Sequence, residues 1–386
     1  GSQQTIMLLL KDALVLEELA VVLWQGTEKL SAELTRRQKA FDKNAPIDPL
    51  ALNSKFVSDG AFNLAFGDLS KFYGGLSGLV GTPSSDLIEG MQQEHCARAD
   101  AELVFTVPNY GTNTSSKAEF YFVESGEAGV SKCKAHLSKH LGIADGSHFP
   151  REERLLADPQ LKDRVRVAKS PDSFKALGWD KVNLKLAAMG SEPLTLAEFI
   201  GARLYTGPCY RKYNGVLRGV SGQVPFLHGQ WKELCVDNKY ETTLHVISSA
   251  INKLGKIETA DTLFRAPGGA LPDQFMTINE FNVMGGVELA FMSCTTSREV
   301  ALDYAVTSNA AVLFQIQEGY VDRGADLSWL SQYPHEKEIT FPPLTTLEVK
   351  SKQAESSVLV VNLVPRLLDS VPPPVPKKGS SFCSVM

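Results

Sequence analysis

The chain lacks the features that mark several common protein classes. Its 386 residues include 39 Lys and Arg against 44 Asp and Glu, so a net charge of −5 leaves no positive excess for binding nucleic acid. The six cysteines are far apart and form no C-x-x-C pair, which argues against a disulfide scaffold or a zinc ribbon and favours the reducing cytosol. With 43% hydrophobic and 22% charged residues, the composition is that of a folded soluble protein.

Long apolar runs are also missing. The most apolar segment, Ile6–Trp24, is interrupted by charged residues, whereas a membrane span needs about 20 residues nearly free of charge. Lys11, Glu18 and Gln25 recur at seven-residue spacing, which places a polar stripe along one side of a helix. The segment is therefore predicted to be an amphipathic helix that packs on a core.

Metal ligands and phosphate-binding loops are scarce as well. Cys133, His136 and His140 could share one face of a helix, but the neighbouring lysines would repel a cation, so we predict no metal. The glycines clustered within residues 74–81 do not have the spacing of a phosphate loop and indicate turns or close helix contacts instead.

The pattern of apolar residues divides the chain into two regions and a tail. Residues 3–185 predict a helix-rich region of unknown role, with a β-hairpin formed by Ala101–Val107 and Ala118–Val123. Residues 186–366 alternate helical and strand patterns, which favours an α+β fold with two small packed β-sheets and flanking helices over a doubly wound parallel sheet. The predicted elements are helices Leu194–Leu204 and Thr242–Leu254 and strands Thr262–Phe264, Ala290–Ser293, Ala311–Gln317, Ile339–Phe341 and Val358–Val364.

Three fragments of the second region carry side chains suited to chemistry. Arg265 ends an apolar strand, where a guanidinium can bind a diphosphate with two hydrogen bonds. Ser293 and Thr295 lie two residues apart on a predicted strand and so face the same side, although these hydroxyls could simply begin the following helix. Glu336 and Glu338, read as part of a strand, would place two carboxylates on one side.

The order of these fragments resembles the Arg-Ser-Glu class of mono-ADP-ribosyltransferases, the group with clostridial binary-toxin and vertebrate ecto-enzyme members. The residues that carry the resemblance are Phe264-Arg265, Ser293-Cys294-Thr295, and Glu336 and Glu338 with an aromatic Tyr333 upstream. Leu204-Tyr205-Thr206-Gly207-Pro208, with Tyr213-Asn214 downstream, is similar to the helical approach to the arginine strand in that family. The resemblance covers about residues 190–365. Cys294 departs from its usual middle threonine, and Ala266 from a common glycine.

The resemblance implies a role for each residue. NAD⁺ would be the co-substrate, held by Arg265, Ala266, Ser293, Thr295 and Glu338, with Ser293 orienting Glu338 on the ribose. Glu336 would meet the acceptor, and two close carboxylates should raise the proton affinity of one of them. The Glu-x-Glu variant goes with arginine acceptors in this family. Trp329 and Tyr333 would touch the target protein, although core packing is the alternative for both.

Residues 367–386 form a proline-rich tail that ends in Cys383-Ser384-Val385-Met386. The prolines predict an extended spacer. The last four residues resemble a C-a-a-X box, in which Cys383 would be farnesylated, although such a short motif also arises by chance. One prenyl chain beside Lys377 and Lys378 gives only reversible membrane binding, so we expect a cytoplasmic protein that is membrane-anchored where Cys383 is lipidated.

The sequence leaves three functions open. The first is a mono-ADP-ribosyltransferase that modifies an arginine of a target protein. The second is an NAD⁺ glycohydrolase that uses water as the acceptor. The third is a non-catalytic, membrane-targeted binding module that keeps the cleft without turnover. Release of nicotinamide separates the enzymes from the binding module, and protein-bound ADP-ribose separates the transferase from the glycohydrolase.

Overall fold

The computed structural model describes residues 64–65, 74–107, 112–126, 128–129, 131–132, 166–167, 169–174, 178–222, 224–259, 261–267, 271, 273–278, 284–307, 312–319, 321–355 and 358–367. Three features of the sequence lie outside these residues: the apolar segment Ile6–Trp24, the Cys133, His136 and His140 group, and the tail with Cys383. Among the described residues, no helix is both long and apolar enough to cross a membrane.

Some of the helices begin at a side chain that accepts one of the first backbone N–H groups. Thr195 and Glu198 form a reciprocal capping box at the start of one helix, which begins at Leu196, two residues after the predicted start at Leu194. Ser115 accepts a hydrogen bond from Ala118 N and starts another. The helices are α1 (Gly75–Val80), α2 (Leu87–Cys96), α3 (Ser116–Ser125), α4 (Pro171–Phe174), α5 (Asp180–Ala188), α6 (Leu196–Tyr205), α7 (Tyr210–Gly219), α8 (Pro225–Cys235), α9 (Glu241–Gly255) and α10 (Arg298–Thr307).

The strands form one large sheet and one small one within the described residues. The large sheet has the order β1-β5-β10-β11-β7-β4-β6-β9-β8, and β2 pairs with β3 alone. Only β11 and β7 run parallel, which agrees with the prediction against a doubly wound fold. The strands are β1 (Leu64–Ala65), β2 (Phe105–Val107), β3 (Thr112–Thr114), β4 (Thr262–Arg265), β5 (Gly285–Glu288), β6 (Met292–Thr295), β7 (Val312–Gln317), β8 (Ala325–Asp326), β9 (Glu338–Phe341), β10 (Thr345–Glu355) and β11 (Val358–Arg366).

The large sheet is narrowest at the junction of β4 and β6. Those two strands share a single register pair, Phe264 with Thr295. By contrast, β4 follows β7 from Thr262 to Arg265, and β6 follows β9 from Met292 to Thr295. The junction therefore separates a group of antiparallel and parallel strands from the shorter group β6, β9 and β8. The predicted α+β fold class is confirmed.

The predicted hairpin is wrong in its second strand. Phe105–Val107 does pair with a returning strand, but the partner is Thr112–Thr114. Residues 118–123 belong to α3, because Ser115 caps a helix that buries aromatic side chains on its inner face. The sequence also missed β5, which is short and begins with glycines, and β10, whose second half is exposed and charged.

The two largest apolar clusters among the described residues support the fold. The helical core unites Phe120 and Phe122 of α3 with Phe199 of α6 and Ile247 of α9. The sheet core includes Leu263, Met292 and Phe314 from β4, β6 and β7. The helical core therefore draws side chains from both sides of residue 185, and α2 and α3 pack directly on the helices that follow.

A remote carboxylate completes the start of α9. Tyr240, which precedes that helix, has a left-handed backbone with φ 51° and makes no side-chain cap. Glu94 of α2 instead accepts from Thr242 N at 2.7 Å and from Thr243 N at 3.0 Å. Glu94 is buried, so its oxygens satisfy backbone donors that water cannot reach.

His95, beside that cap, predicts how stability depends on pH. Its Nδ1 donates to Met91 O and its Nε2 accepts from Tyr213 Oη at 2.7 Å, and burial lowers the pKa of His95 to about 4. Below pH 6.5 the unfolded chain therefore binds a proton that the folded chain does not. We expect the contribution of neutral His95 to the free energy of unfolding to be complete above pH 6.5 and to decrease by about 3 kcal/mol as the pH falls towards 4.

Urea unfolding of the wild type and of His95→Gln at pH 7.5 and pH 4.5 measures this effect. The variant should lose less free energy of unfolding between the two pH values than the wild type does. Equal losses in both proteins would contradict the assignment of the proton to His95.

Candidate active site

The register of β6 and β9 brings the predicted serine and glutamate to one face of the sheet. In this antiparallel pair Ser293 lies opposite Thr340, and Thr295 lies opposite Glu338. Opposed residues project from the same face, and alternate residues along each strand do so as well. All four polar side chains therefore share one face of the sheet.

The carboxylate of Glu338 is buried and accepts hydrogen bonds from neighbouring hydroxyl groups. Its side chain is 8% exposed, Thr340 Oγ1 donates to its Oε1 at 3.1 Å, and Ser293 also hydrogen-bonds to it. Burial raises the pKa of the Glu338 carboxyl, while both hydroxyls and the charge of Arg265 oppose that rise. The sequence predicted a raised proton affinity from two neighbouring carboxylates, but the structure attributes it to burial.

Arg265 reaches the same place from the neighbouring strand. It ends β4, and its Nη1 donates to Ser293 O at 2.5 Å. Its positive charge also acts on the Glu338 carboxyl. The structure therefore brings Arg265, Ser293 and Glu338 together, although 28 residues separate the first two along the chain. Ala266 follows directly after β4 and is half-buried.

The Ser-Cys-Thr segment contacts both Glu338 and the start of a helix, which are the two interpretations that the sequence left open. Ser293 lies with Glu338, whereas Thr295 Oγ1 accepts from Ser297 N at 3.2 Å in the turn before α10. Ser297 Oγ then accepts from Val300 N inside that helix. Thr295 thus shapes the start of α10, and its proposed contact with NAD⁺ stays a prediction.

The strand geometry predicted for Glu336 is wrong. Glu336 belongs to a 3₁₀ turn, Pro334–Glu336, and Lys337 has a left-handed backbone with φ 47° and ψ 50°. Only Glu338 begins the strand, so strand alternation does not set the relation of the two glutamates. Burial raises the pKa of the Tyr210 hydroxyl, and the charges of Glu336 and Glu338 both raise it further. Both carboxylates therefore lie within electrostatic reach of one phenol.

The two aromatic residues proposed for target recognition lie in protected positions. Trp329 packs against the helical core, with its ring 6.1 Å from that of Phe199. Tyr333 is 7% exposed, and its ring meets His335 edge to face. Core packing, the alternative that the sequence left open, describes Trp329. Tyr333 adjoins the turn that carries Glu336, and its contact with a target stays a prediction.

Tyr205 was not assigned a role from the sequence. Its hydroxyl hydrogen-bonds Ser293 Oγ at 2.8 Å, and its buried ring packs on Phe291. Burial and the charge of Glu338 raise the pKa of Tyr205, so it stays protonated and can donate. The amide of Asn214 also hydrogen-bonds Tyr205. Tyr205 and Asn214 each place a polar group inside an apolar helical segment, and this pattern could have singled them out in the sequence.

The described residues contain no cluster of His, Cys, Asp and Glu that could hold a metal ion. The donor set at the site is instead a guanidinium, hydroxyls and a carboxylate. A guanidinium suits phosphate oxygens, and a buried carboxylate suits sugar hydroxyls or a developing positive charge. This combination fits a ligand with a diphosphate and a ribose, as NAD⁺ has.

The solved structures that are similar to this chain at low identity include the following three. The ADP-ribosyltransferase HopU1 of Pseudomonas syringae pv. tomato DC3000 is 22% identical over 50% of this chain and 86% of its own, with a TM-score of 0.37. The Vis toxin of Vibrio splendidus, an ADP-ribosyltransferase, is 19% identical over 53% of this chain and 89% of its own, with a TM-score of 0.35. Exoenzyme S of Pseudomonas aeruginosa, solved with human 14-3-3 protein beta and carba-NAD, is 22% identical over 50% of this chain and 88% of its own, with a TM-score of 0.34.

The family assignment rests on the sequence match. No curated protein sequence matches the chain. Residues 179–364 match the family model described as ADP-ribosyltransferase exoenzyme, and this range contains Arg265, Ser293 and both glutamates. The resemblance drawn from the order of those residues is confirmed. The domain formed by residues 179–364 therefore belongs to the ADP-ribosyltransferase exoenzyme family.

Proposed function

We propose that the protein is a mono-ADP-ribosyltransferase that moves ADP-ribose from NAD⁺ to an arginine of a target protein and releases nicotinamide. Membership of the family supports transfer of ADP-ribose. The observation that carries the finer proposal is the convergence of Arg265, Ser293 and Glu338 beside the turn that holds Glu336. The guanidinium of Arg265 matches the negatively charged phosphates of NAD⁺, and the buried carboxylate of Glu338 matches the positive charge that develops on the ribose.

Glu338 is the residue assigned to cleavage of NAD⁺. The bond between nicotinamide and ribose breaks with its electron pair going to nicotinamide, so positive charge develops on the sugar. A carboxylate that is already buried and oriented lowers the energy of that charge without reorganising water. Ser293 and Thr340 fix the orientation of Glu338 by hydrogen bonds, and Tyr205 fixes Ser293. Arg265 is assigned to the phosphates.

Glu336 is assigned to the acceptor. A guanidinium nitrogen of the target arginine would bond to the sugar carbon that nicotinamide leaves, and Glu336 would take the proton that the nitrogen loses. Its position in a turn, half-buried and outside the strand, leaves it closer to solvent than Glu338. A carboxylate there also pairs with an incoming cationic guanidinium, which supports arginine as the acceptor.

Substitution of the two glutamates tests this division of labour. Glu338→Ala should lower both ADP-ribose transfer and nicotinamide release by about 10²-fold or more, because both need the same stabilised sugar cation. Glu336→Ala should lose transfer and retain nicotinamide release to water. The assay uses NAD⁺ labelled in its adenosine part, a cell lysate and agmatine as a small guanidine, with mass spectrometry to map the modified residue.

Glu233→Gln, which changes a glutamate on the exposed side of α8, is the control and should match the wild type. Free ADP-ribose with no labelled protein or agmatine would indicate the glycohydrolase instead. A wild type that releases no nicotinamide above background would indicate the non-catalytic binding module. Equal loss of both activities in Glu336→Ala would contradict the role assigned to Glu336.

The environment of Glu338 also predicts the pH dependence of the reaction. The ionised carboxylate of Glu338 is the active form, and burial raises its pKa. As the pH is lowered, activity should therefore be lost at a pH above the ordinary pKa of a glutamate. Thr340→Val removes a hydrogen bond that favours the ionised form. The acid limb of kcat/KM for NAD⁺ should therefore move to higher pH in this variant. An unchanged limb, or one moved to lower pH, would contradict the assignment.

A further inference from the structure

The loop between β8 and β9 is held at Gln332 by residues from two other segments. Arg166 Nε donates to Gln332 Oε1 at 2.7 Å, and Val167 N donates to Gln332 O at 2.8 Å. Gln332 Nε2 donates to Arg203 O at 2.7 Å, and Gln332 N donates to Thr206 Oγ1 at 3.1 Å. Side chain and backbone of this fully buried residue are thus engaged together, which fixes both its rotamer and its position.

Arg166 is itself anchored to α3. It forms an ion pair with Glu119 in which each side chain is 1% exposed. Thr114 Oγ1 donates to Glu119 Oε1 at 2.6 Å, and the Arg166 guanidinium lies 3.7 Å from the centroid of the Phe122 ring. A buried pair with this many partners resists displacement, because any movement would leave a charge without its hydrogen bonds.

Arg203 of α6 grips the residues just before Gln332. Its Nη1 donates to Leu330 O at 2.7 Å and to Ser331 O at 3.3 Å, and its Nη2 donates to Val167 O. Burial lowers the pKa of Arg203 to about 9, so the guanidinium keeps its charge at neutral pH. The guanidinium of Arg203 therefore donates to backbone carbonyl groups of both the loop and residue 167.

Hydrogen bonds within the loop connect the residues around Gln332 to Glu336. Ser331 Oγ accepts from Tyr333 N at 2.9 Å, and Tyr333 O accepts from Glu336 N at 3.1 Å. At the other end of the loop, Leu327 N donates to Glu338 O at 3.0 Å. The position of the Glu336 turn therefore depends on where Gln332 is held. Glu338, by contrast, is held by the pairing of β9 with β6.

We infer that Glu119, Arg166 and Gln332, here called the Gln332 clamp, are positioning residues for Glu336. This inference rests on the proposed function. Two of the three precede residue 179, where the family match begins, so part of the chain outside the matched domain sets the geometry of the acceptor side. Loosening the clamp should impair use of an acceptor and leave cleavage of NAD⁺ in place, because the pairing of β9 with β6, rather than Gln332, holds Glu338 beside Ser293 and Arg265.

Two variants loosen the clamp without leaving Glu119 uncompensated. Gln332→Met removes the side-chain hydrogen bonds to Arg166 and Arg203 while preserving the Arg166–Glu119 ion pair. Arg166→Lys keeps a positive charge beside Glu119, but a single ammonium cannot reproduce the fork that also reaches Gln332. Glu94→Gln is the matched control, because it replaces a buried carboxylate whose hydrogen bonds go to the start of α9.

The experiment measures transfer to agmatine, nicotinamide release without agmatine, and the KM values for agmatine and NAD⁺. Both clamp variants should lose transfer by about 10-fold to 10²-fold, the cost of a small misplacement of a reacting group, with nicotinamide release and the KM for NAD⁺ close to wild type. Amide hydrogen exchange at residues 330–336 should accelerate in the clamp variants and stay at the wild-type rate in Glu94→Gln.

Each other outcome has a defined meaning. An unchanged ratio of transfer to nicotinamide release in folded Arg166→Lys, or an equal fall of both activities, would overturn the inference. Unchanged exchange at residues 330–336 would also overturn it. A wild type without transfer would overturn the proposed function and the consequence for transfer, while the exchange measurement would still decide whether the clamp holds the loop.

Discussion

The pairing of β6 with β9 is the constraint on which the site depends. It sets Ser293 opposite Thr340 and Thr295 opposite Glu338, so that hydroxyls and carboxylate meet on one face. A slip of one residue would turn Glu338 to the other face of the sheet. The adjoining strand β4 adds Arg265 through a single register pair with β6, and Arg265 reinforces that narrow junction by donating to Ser293 O.

Burial gives Glu338 its chemical character. A carboxylate withdrawn from water is costly as an anion, and the hydroxyls of Ser293 and Thr340 with the charge of Arg265 offset part of that cost. Because these groups belong to the protein itself, the Glu338 carboxylate would be oriented in advance for the sugar cation of the proposed reaction. Glu336, on the turn that precedes this strand, has a different environment, which is consistent with different roles for the two glutamates.

The sequence predicted the residues of the site better than their geometry. The order of Arg265, Ser293 and Glu338 along the chain resembles that of a known family, and the resemblance implied their convergence. The turn at Glu336 could not be anticipated, because a non-glycine residue with positive φ at Lys337 leaves no mark in a strand-like pattern. Arg166 and Gln332 are 166 residues apart, and no local pattern connects them. The hairpin prediction failed because the apolar residues of 118–123 also suit a helix capped by Ser115.

The helical core and the sheet act together in this account, since α3 and residue 166 hold the loop whose end joins β9. The central claim is that Arg265, Ser293 and Glu338 surround one bound NAD⁺. A crystal structure of the full chain with a non-cleavable NAD⁺ analogue tests it most directly. The account predicts the diphosphate at the Arg265 guanidinium and a ribose hydroxyl within hydrogen-bond distance of Glu338. An analogue bound elsewhere, with Glu338 still directed only at Ser293 and Thr340, would contradict it.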